Sequence, residues 1–387
     1  MSTDHSRRHY LALLLFSNVC ASVSWGIVSP TIVANCLQRG SSMLAIGVLT
    51  SIWALPFLLA APVYTRIVSR ISAKPALVVG MLLDAGAVWL FPLVPYDWAW
   101  IILQIVTGAM LGHFSLVTEA WLNLFANEQT RARVTSLYGI LPAIGYALGA
   151  GIYALVGYRG YAPFLAGSVA MALGVLPVLL IPRKAGDVVL GGEERLRHAF
   201  RRAPLLLTTA LLAGILEMVP WSLMQVYAVA NHWSTRVAGF ALPVFYWGQV
   251  LLTFPLGWLA DRAPRRRVLL GTSAAAIPCM VAMALLARSS GIWLVIFVTG
   301  GIATATYTLG LAILGHRFPT ETLVSANAAF LACYGVGTIM GPPMVGALMD
   351  RYGSNALPTA LGCVSALIFV CAAAASVEWR QPEGAIS

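Results

Sequence analysis

Residues 161–182 read YAPFLAGSVAMALGVLPVLLIP and carry no charged side chain. A helix needs about 20 predominantly apolar residues to cross a hydrocarbon core of about 30 Å, and this stretch supplies them. The same ruler gives twelve spans along the chain. They run roughly over 10–34, 44–64, 75–95, 98–124, 133–157, 161–182, 204–230, 237–260, 268–287, 291–315, 323–348 and 356–377. Composition agrees: of 387 residues, 59% are apolar and only 10% charged, against about 25% charged in a soluble domain. Residues 1–34 have the basic start of a signal peptide in Arg7 and Arg8. The apolar run continues through Trp25, Pro30 and Val33 without a small-residue cleavage pattern, so it reads as the first span.

The formal charge of +10 does not form a basic face for nucleic acid, because the 24 Lys and Arg lie between the apolar stretches. Their distribution reports orientation. Only Arg39, Arg159, Arg236, Arg288 and Arg351 fall on the side opposite the termini, which leaves nineteen on the side that holds them. That bias predicts cytoplasmic termini and a cytoplasmic 183–203 segment, with no basic residue inside a span. The six cysteines show no metal or redox spacing and read as small buried residues. No cofactor and no metal are expected.

Sliding the chain by 192 residues places Thr130, Tyr138, Gly145, Gly149 and Arg159 on Thr322, Phe330, Gly337, Gly341 and Arg351. A slide of 193 places Pro62 on Pro255 and Lys74 on Arg267. The chain therefore reads as an all-α polytopic membrane protein of two six-helix halves, 1–182 and 204–387, joined by a cytoplasmic linker at 183–203. Repeated halves with a site near the midplane are the architecture of alternating-access carriers.

The segment GWLADRAPRRRVLL at 257–270 resembles the G-x-L-A-D-R-x-G-R-[RK] signature of the major facilitator superfamily. TEAWLN at 118–123, TRARVTSLYG at 130–139 and SANAAFLACYGVGTIMGPP at 325–343 are similar to the YcaD-like branch of its bacterial members. The resemblance covers the whole chain and implies secondary transport across the inner membrane. It also implies a cytoplasmic gate in which Asp261, Arg262, Arg265 and Arg266 face the start of the fifth span, with Arg131 and Arg133 beside it. The first half departs from the pattern: Val68 aligns with Asp261 and Tyr64 with Gly257. Pro264 replaces the usual glycine, Gln104 stands where many members carry arginine, and the fifth span lacks the Gly-Pro pair of drug antiporters.

Among fourteen acids, only Asp84, Glu119 and Glu217 fall inside or at the edge of spans. Glu217 sits halfway along span seven in ILEMVPWSLMQVY, with no intramembrane cation to pair with. Ionisable groups at that depth are costly and mark sites, so Glu217 is the first candidate to bind a proton or a cationic substrate group. Asp84 and Glu119 are secondary proton-linked candidates; each also fits a helix-bridging hydrogen bond or an ion pair. His113, the one histidine inside a span, is a titrating candidate with the same alternative. Trp25, Trp221, Tyr307 and Tyr334, with Gln225, supply aromatic area and polar tips for a partly apolar site. Gln249 and Asn327 are further amides nearby. Ordinary helix packing competes for all of them.

The function expected is a secondary active transporter of a small organic solute, coupled to protons through Glu217, with membrane lipid as its surroundings and a monomer as its state. Nucleotide hydrolysis is excluded by the absence of a G-x-x-x-x-G-K-[ST] loop. A ligand-binding sensor of the same fold is the alternative. A polytopic membrane enzyme is the weaker one, since no H-E-x-x-H or G-x-S-x-G context occurs.

Overall fold

The computed structural model describes residues 2–59, 64, 70, 72–125, 128–182, 203–318 and 320–375. Its elements are α1 (Ser2–Gln38), α2 (Met43–Ser51), α3 (Ala54–Leu59), α4 (Ala73–Leu90), α5 (Asp97–Phe125), α6 (Glu128–Val156) and α7 (Ala162–Leu180). They continue with α8 (Pro204–Ala230), α9 (Thr235–Ala238), α10 (Ala241–Arg262), α11 (Arg265–Leu285), α12 (Ile292–Arg317), α13 (Thr320–Tyr352) and α14 (Ala356–Ala374). Among the described residues, eleven helical stretches are long and apolar enough to cross a membrane, and the shorter apolar stretch Met43–Leu59 occupies the place of the second predicted span. Outward leucines fit this reading. Leu285 is 79% exposed and Leu155 74%, a placement that suits lipid tails and not water.

Two compact units emerge from the contacts. Unit 1 comprises Met1–Ser41, Ile52–Gly192 and Thr235–Tyr246; unit 2 comprises Ser42–Ser51, Glu193–Ser234 and Trp247–Ser387. Within unit 1, α1 packs on α6 and α7, while α4 packs on α5 and α7. In unit 2 the same pattern recurs seven helices later: α8 packs on α13 and α14, and α11 on α12 and α14. The internal repeat seen in the sequence is thus a repeat of helix pairings.

Glycines set the closest pairings. A Cβ added to Gly149 would lie 2.2 Å from the Val23 carbonyl oxygen, and one on Gly26 would lie 2.5 Å from that of Tyr146, so α1 and α6 meet backbone to backbone. Gly214 and Gly337 do the same for α8 and α13, with 2.2 Å to the Tyr334 carbonyl oxygen and 2.0 Å to that of Leu211. Small residues at such seams permit the close approach that drives helix association in lipid.

The second predicted span is not one helix. It breaks at Ile52–Trp53, where Pro56 cannot donate to the Ile52 carbonyl and its ring clashes there. The Trp53 carbonyl turns onto α5, 2.1 Å from where a Gly108 Cβ would lie. The break coincides with the boundary between the α2 segment, which belongs to unit 2, and the rest of the span. All six cysteines are free, but only Cys36 is buried; Cys363 is exposed and the others are intermediate, so the expectation of uniformly buried thiols is corrected.

Candidate functional site

Helix α8 is apolar around its whole circumference and buried along most of its length, as an inner helix should be. Glu217 interrupts it at mid-length and is half-buried. Gln249 of α10 donates its amide to Glu217 Oε1 at 3.2 Å, and the Tyr334 hydroxyl of α13 donates to Oε2 at 2.9 Å. The Tyr307 ring of α12 lies 4.8 Å from the Tyr334 ring, centroid to centroid. Side chains of α10 and α13 therefore converge on the one carboxyl group of α8, and α12 backs Tyr334.

The two partners of Glu217 share a useful property. A tyrosine hydroxyl can donate or accept, and a glutamine amide offers an NH₂ on one side and a carbonyl on the other. Rotation of the hydroxyl and a flip of the amide would keep Glu217 hydrogen-bonded whether or not it carries a proton. A carboxyl group so framed can load and unload a proton, or a cationic donor, without leaving a buried polar atom unmatched.

Glu217, Trp221 and Gln225 follow one another at four-residue spacing and so share a face of α8. Gln225 is buried and Trp221 half-buried. Asn327 of α13 is half-buried in the same unit. The site neighbour that sequence reasoning overlooked is Gly214, one turn before Glu217. Its missing side chain lets the Tyr334 backbone approach α8, which carries the Tyr334 hydroxyl to the carboxyl group. The signal was present in the glycine three residues ahead of the acid.

The remaining candidates lie in unit 1. Trp25 is 2% exposed and packs into the core with Met81 and Ala85, its ring 6.1 Å from that of Trp53. Its indole edge faces the Asp84 carboxyl without reaching hydrogen-bond geometry, and Asp84 is itself buried. His113 is buried against the Ala76–Gly80 turn of α4, with the Tyr64 ring 5.5 Å away. Tyr64 is buried against His113 and Gly112, whereas a Cβ at Gly257, its counterpart in the sequence slide, would meet nothing within 4 Å. Glu119 is exposed on α5, and the side chains of Arg131 and Arg133 lie outside the described residues, as does Val68.

Residues 14–231 and 206–385 match the Major Facilitator Superfamily. The chain belongs to this superfamily. It is similar to the MFS-type transporter YfkF of Bacillus subtilis, with 27% identity over 363 residues and 90% of each chain covered. It is also similar to the MFS-type transporter YcaD of Salmonella paratyphi B, with 24% identity over 295 residues and 74% of each chain covered. Of solved structures, the nucleoside transporter NupG superposes with a TM-score of 0.76 at 15% identity, covering 99% of this chain and 100% of that one. A bacterial homolog of the human lysosomal transporter Spinster, inward-facing and occupied, gives 0.75 at 12% identity, covering 97% of both chains. Identities this low speak to the fold alone.

The superfamily signature at 257–270 is engaged inside unit 2. Arg265 donates to the Ala312 carbonyl at 2.9 Å, and Arg266 to the carbonyls of Ala372 and Ala373 at 2.7 and 2.9 Å. Those last carbonyls end α14, where a cation meets the negative end of the helix dipole. Lys74 does the same in unit 1, donating to Leu179 at 2.7 Å and to Ile181 at the end of α7. Arg262 lies over the Trp258 ring at 3.9 Å, and Asp261 is exposed. Arg265 and Arg266 of the signature thus hold neighbouring helices together in unit 2, and Lys74 ties α4 to the end of α7 in unit 1.

Proposed function

We propose that this protein is a secondary active transporter of the bacterial inner membrane, with both termini cytoplasmic, that carries a small organic solute by alternating access of its two halves. Glu217 is the acid that binds the solute or the coupling proton. The observation that carries this reading is the carboxyl group midway along the apolar helix α8, held by two partners able to serve either protonation state. Family membership and transporter relatives support the class of activity. Tyr307, Tyr334 and Trp221 would line the solute path beside it, with Gln225 and Gln249 as polar anchors. Trp25 and His113 are proposed as further members of the substrate and coupling set, and Asp84 and Glu119 as secondary proton-linked acids.

No Lys or Arg falls inside the spans, so neutral, cationic or amphipathic solutes suit this lining better than strongly anionic ones. The purified protein should be screened for ligands by thermal stabilisation, since a ligand at 100 times its Kd adds about 2.7 kcal/mol. Liposomes carrying the protein then separate the functions. A transporter concentrates the hit compound inside when a pH gradient is imposed and dissipates it when the gradient collapses. Binding without accumulation would indicate a sensor, and covalent change of the compound an enzyme.

The exposed Asp261 is proposed as the acid of the cytoplasmic gate, with Arg131 and Arg133 as its counter-charges. Its first-half counterpart is Val68, so the gate is one-sided. Asp261→Asn is expected to shift the ratio of inward-open to inward-closed protein by about tenfold, the scale of one carboxylate near a helix terminus. Labelling of single cysteines from the cytoplasmic side reads that ratio. Equal labelling of wild type and Asp261→Asn would remove Asp261 from the gate.

A further inference from the structure

At the opposite ends of the helices, a second acid makes a contact that the superfamily signature does not contain. Asp350, in the last turn of α13, accepts hydrogen bonds from the Met43 backbone N–H at 2.8 Å and from that of Leu44 at 2.9 Å. These are the first two amides of α2, and each is bound by a different oxygen of the same carboxylate. The first N–H groups of a helix have no partner within it, and its N-terminus carries partial positive charge. Asp350 thus caps a helix that is more than three hundred residues distant in sequence.

Two glycines hold the capped helix against α13. A Cβ on Gly346 would lie 2.3 Å from the Met43 carbonyl oxygen, and one on Gly47 would lie 2.4 Å from that of Pro342. Span two is broken immediately after this segment, at Ile52–Trp53, so the helix ends there and does not run on into α3. Beyond that break the chain belongs to unit 1, whereas Ser42–Ser51 belongs to unit 2. A capped rod with a hinge at its other end is the construction of a latch.

We infer that Asp350 is the latch of the outer face: it holds the start of span two on span eleven, and it must release Met43 and Leu44 whenever that face opens. The inference rests on the transporter reading only for the purpose of the opening, and not on Glu217. The contact is exposed and short-ranged, so it sets a population and does not lock it. Loss of the cap should change the ratio of docked to undocked α2 by about tenfold, the usual worth of a helix cap joined to a dipole contact.

The test is a distance measurement between spin labels on the full-length protein in nanodiscs. Labels go on cysteines at Ser42→Cys and Ser354→Cys, after the six native cysteines are replaced. In the parent protein the short distance should dominate. Asp350→Ala should raise the share of the long distance about tenfold relative to the short one. Met43→Pro should do so to a smaller extent, because proline is accepted at the first helical position but removes one of the two donors. Arg351→Ala, which leaves the cap intact, should not. An unchanged distribution in Asp350→Ala overturns the proposal. Should that variant not fold, an unchanged distribution in Met43→Pro overturns it equally. A Glu217→Gln protein that keeps both distances would leave the latch standing even if the proposed coupling role failed.

Discussion

Glu217→Gln is expected to insert and fold as the parent protein does, and to lose accumulation driven by a pH gradient altogether. Glutamine keeps the size of the side chain and can still meet Gln249 and Tyr334, whose partners sit 3.2 and 2.9 Å away in the parent. It has no proton to release, so uptake should become independent of the gradient. If the solute carries a cationic donor, its affinity should fall by about 10- to 100-fold, the value of a hydrogen bond to a charged group. Tyr334→Phe should give a milder loss, because Gln249 still serves one oxygen. Solute uptake into liposomes, followed at several external pH values with and without an imposed gradient, checks both variants. Unchanged kinetics and an unchanged pH profile in Glu217→Gln would take the acid out of the mechanism.

The position of that acid was legible in the sequence because hydropathy exposes its own exceptions. A carboxylate inside ILEMVPWSLMQVY has no cheap reason to be there. The partners were less legible. Tyr334 and Gln249 belong to helices far away in the chain, and a transfer scale reports how apolar a segment is but not which helix covers it. Trp25 was grouped by residue type with Trp221 and Tyr307, and hydropathy likewise does not say which helices cover it. It lies in the core of unit 1, beside Met81 and Ala85. The spans themselves were read correctly except where proline intervened. Pro56 signals a break, yet an apolar count over 44–64 passes over it. Asp350 illustrates a third limit. The slide that placed Arg159 on Arg351 ran beside it, but its partners are backbone amides, which no residue pattern displays.

The seam between α8 and α13 yields the second large expectation. Gly337→Ala would put a methyl group 2.0 Å from the Leu211 carbonyl oxygen, and Gly214→Ala would put one 2.2 Å from that of Tyr334. Both neighbours are backbone, so neither can swing aside as a side chain would. The helices must separate, and overpacking of this kind costs about 1–3 kcal/mol. The cost falls on a particular contact, because the Tyr334 hydroxyl reaches Glu217 across the same seam. Gly337→Ala should therefore lower the melting temperature and also reproduce the transport defect of Tyr334→Phe, although it touches neither side chain. Gly271→Ala is the control, since nothing lies within 4 Å of the added carbon there. In a helix interior that change gains about 1 kcal/mol of propensity and should leave transport intact. Thermal unfolding in detergent and uptake in liposomes separate the two effects. A Gly337→Ala protein that melts early but transports normally would show that the seam supports the fold without setting the distance between Tyr334 and Glu217.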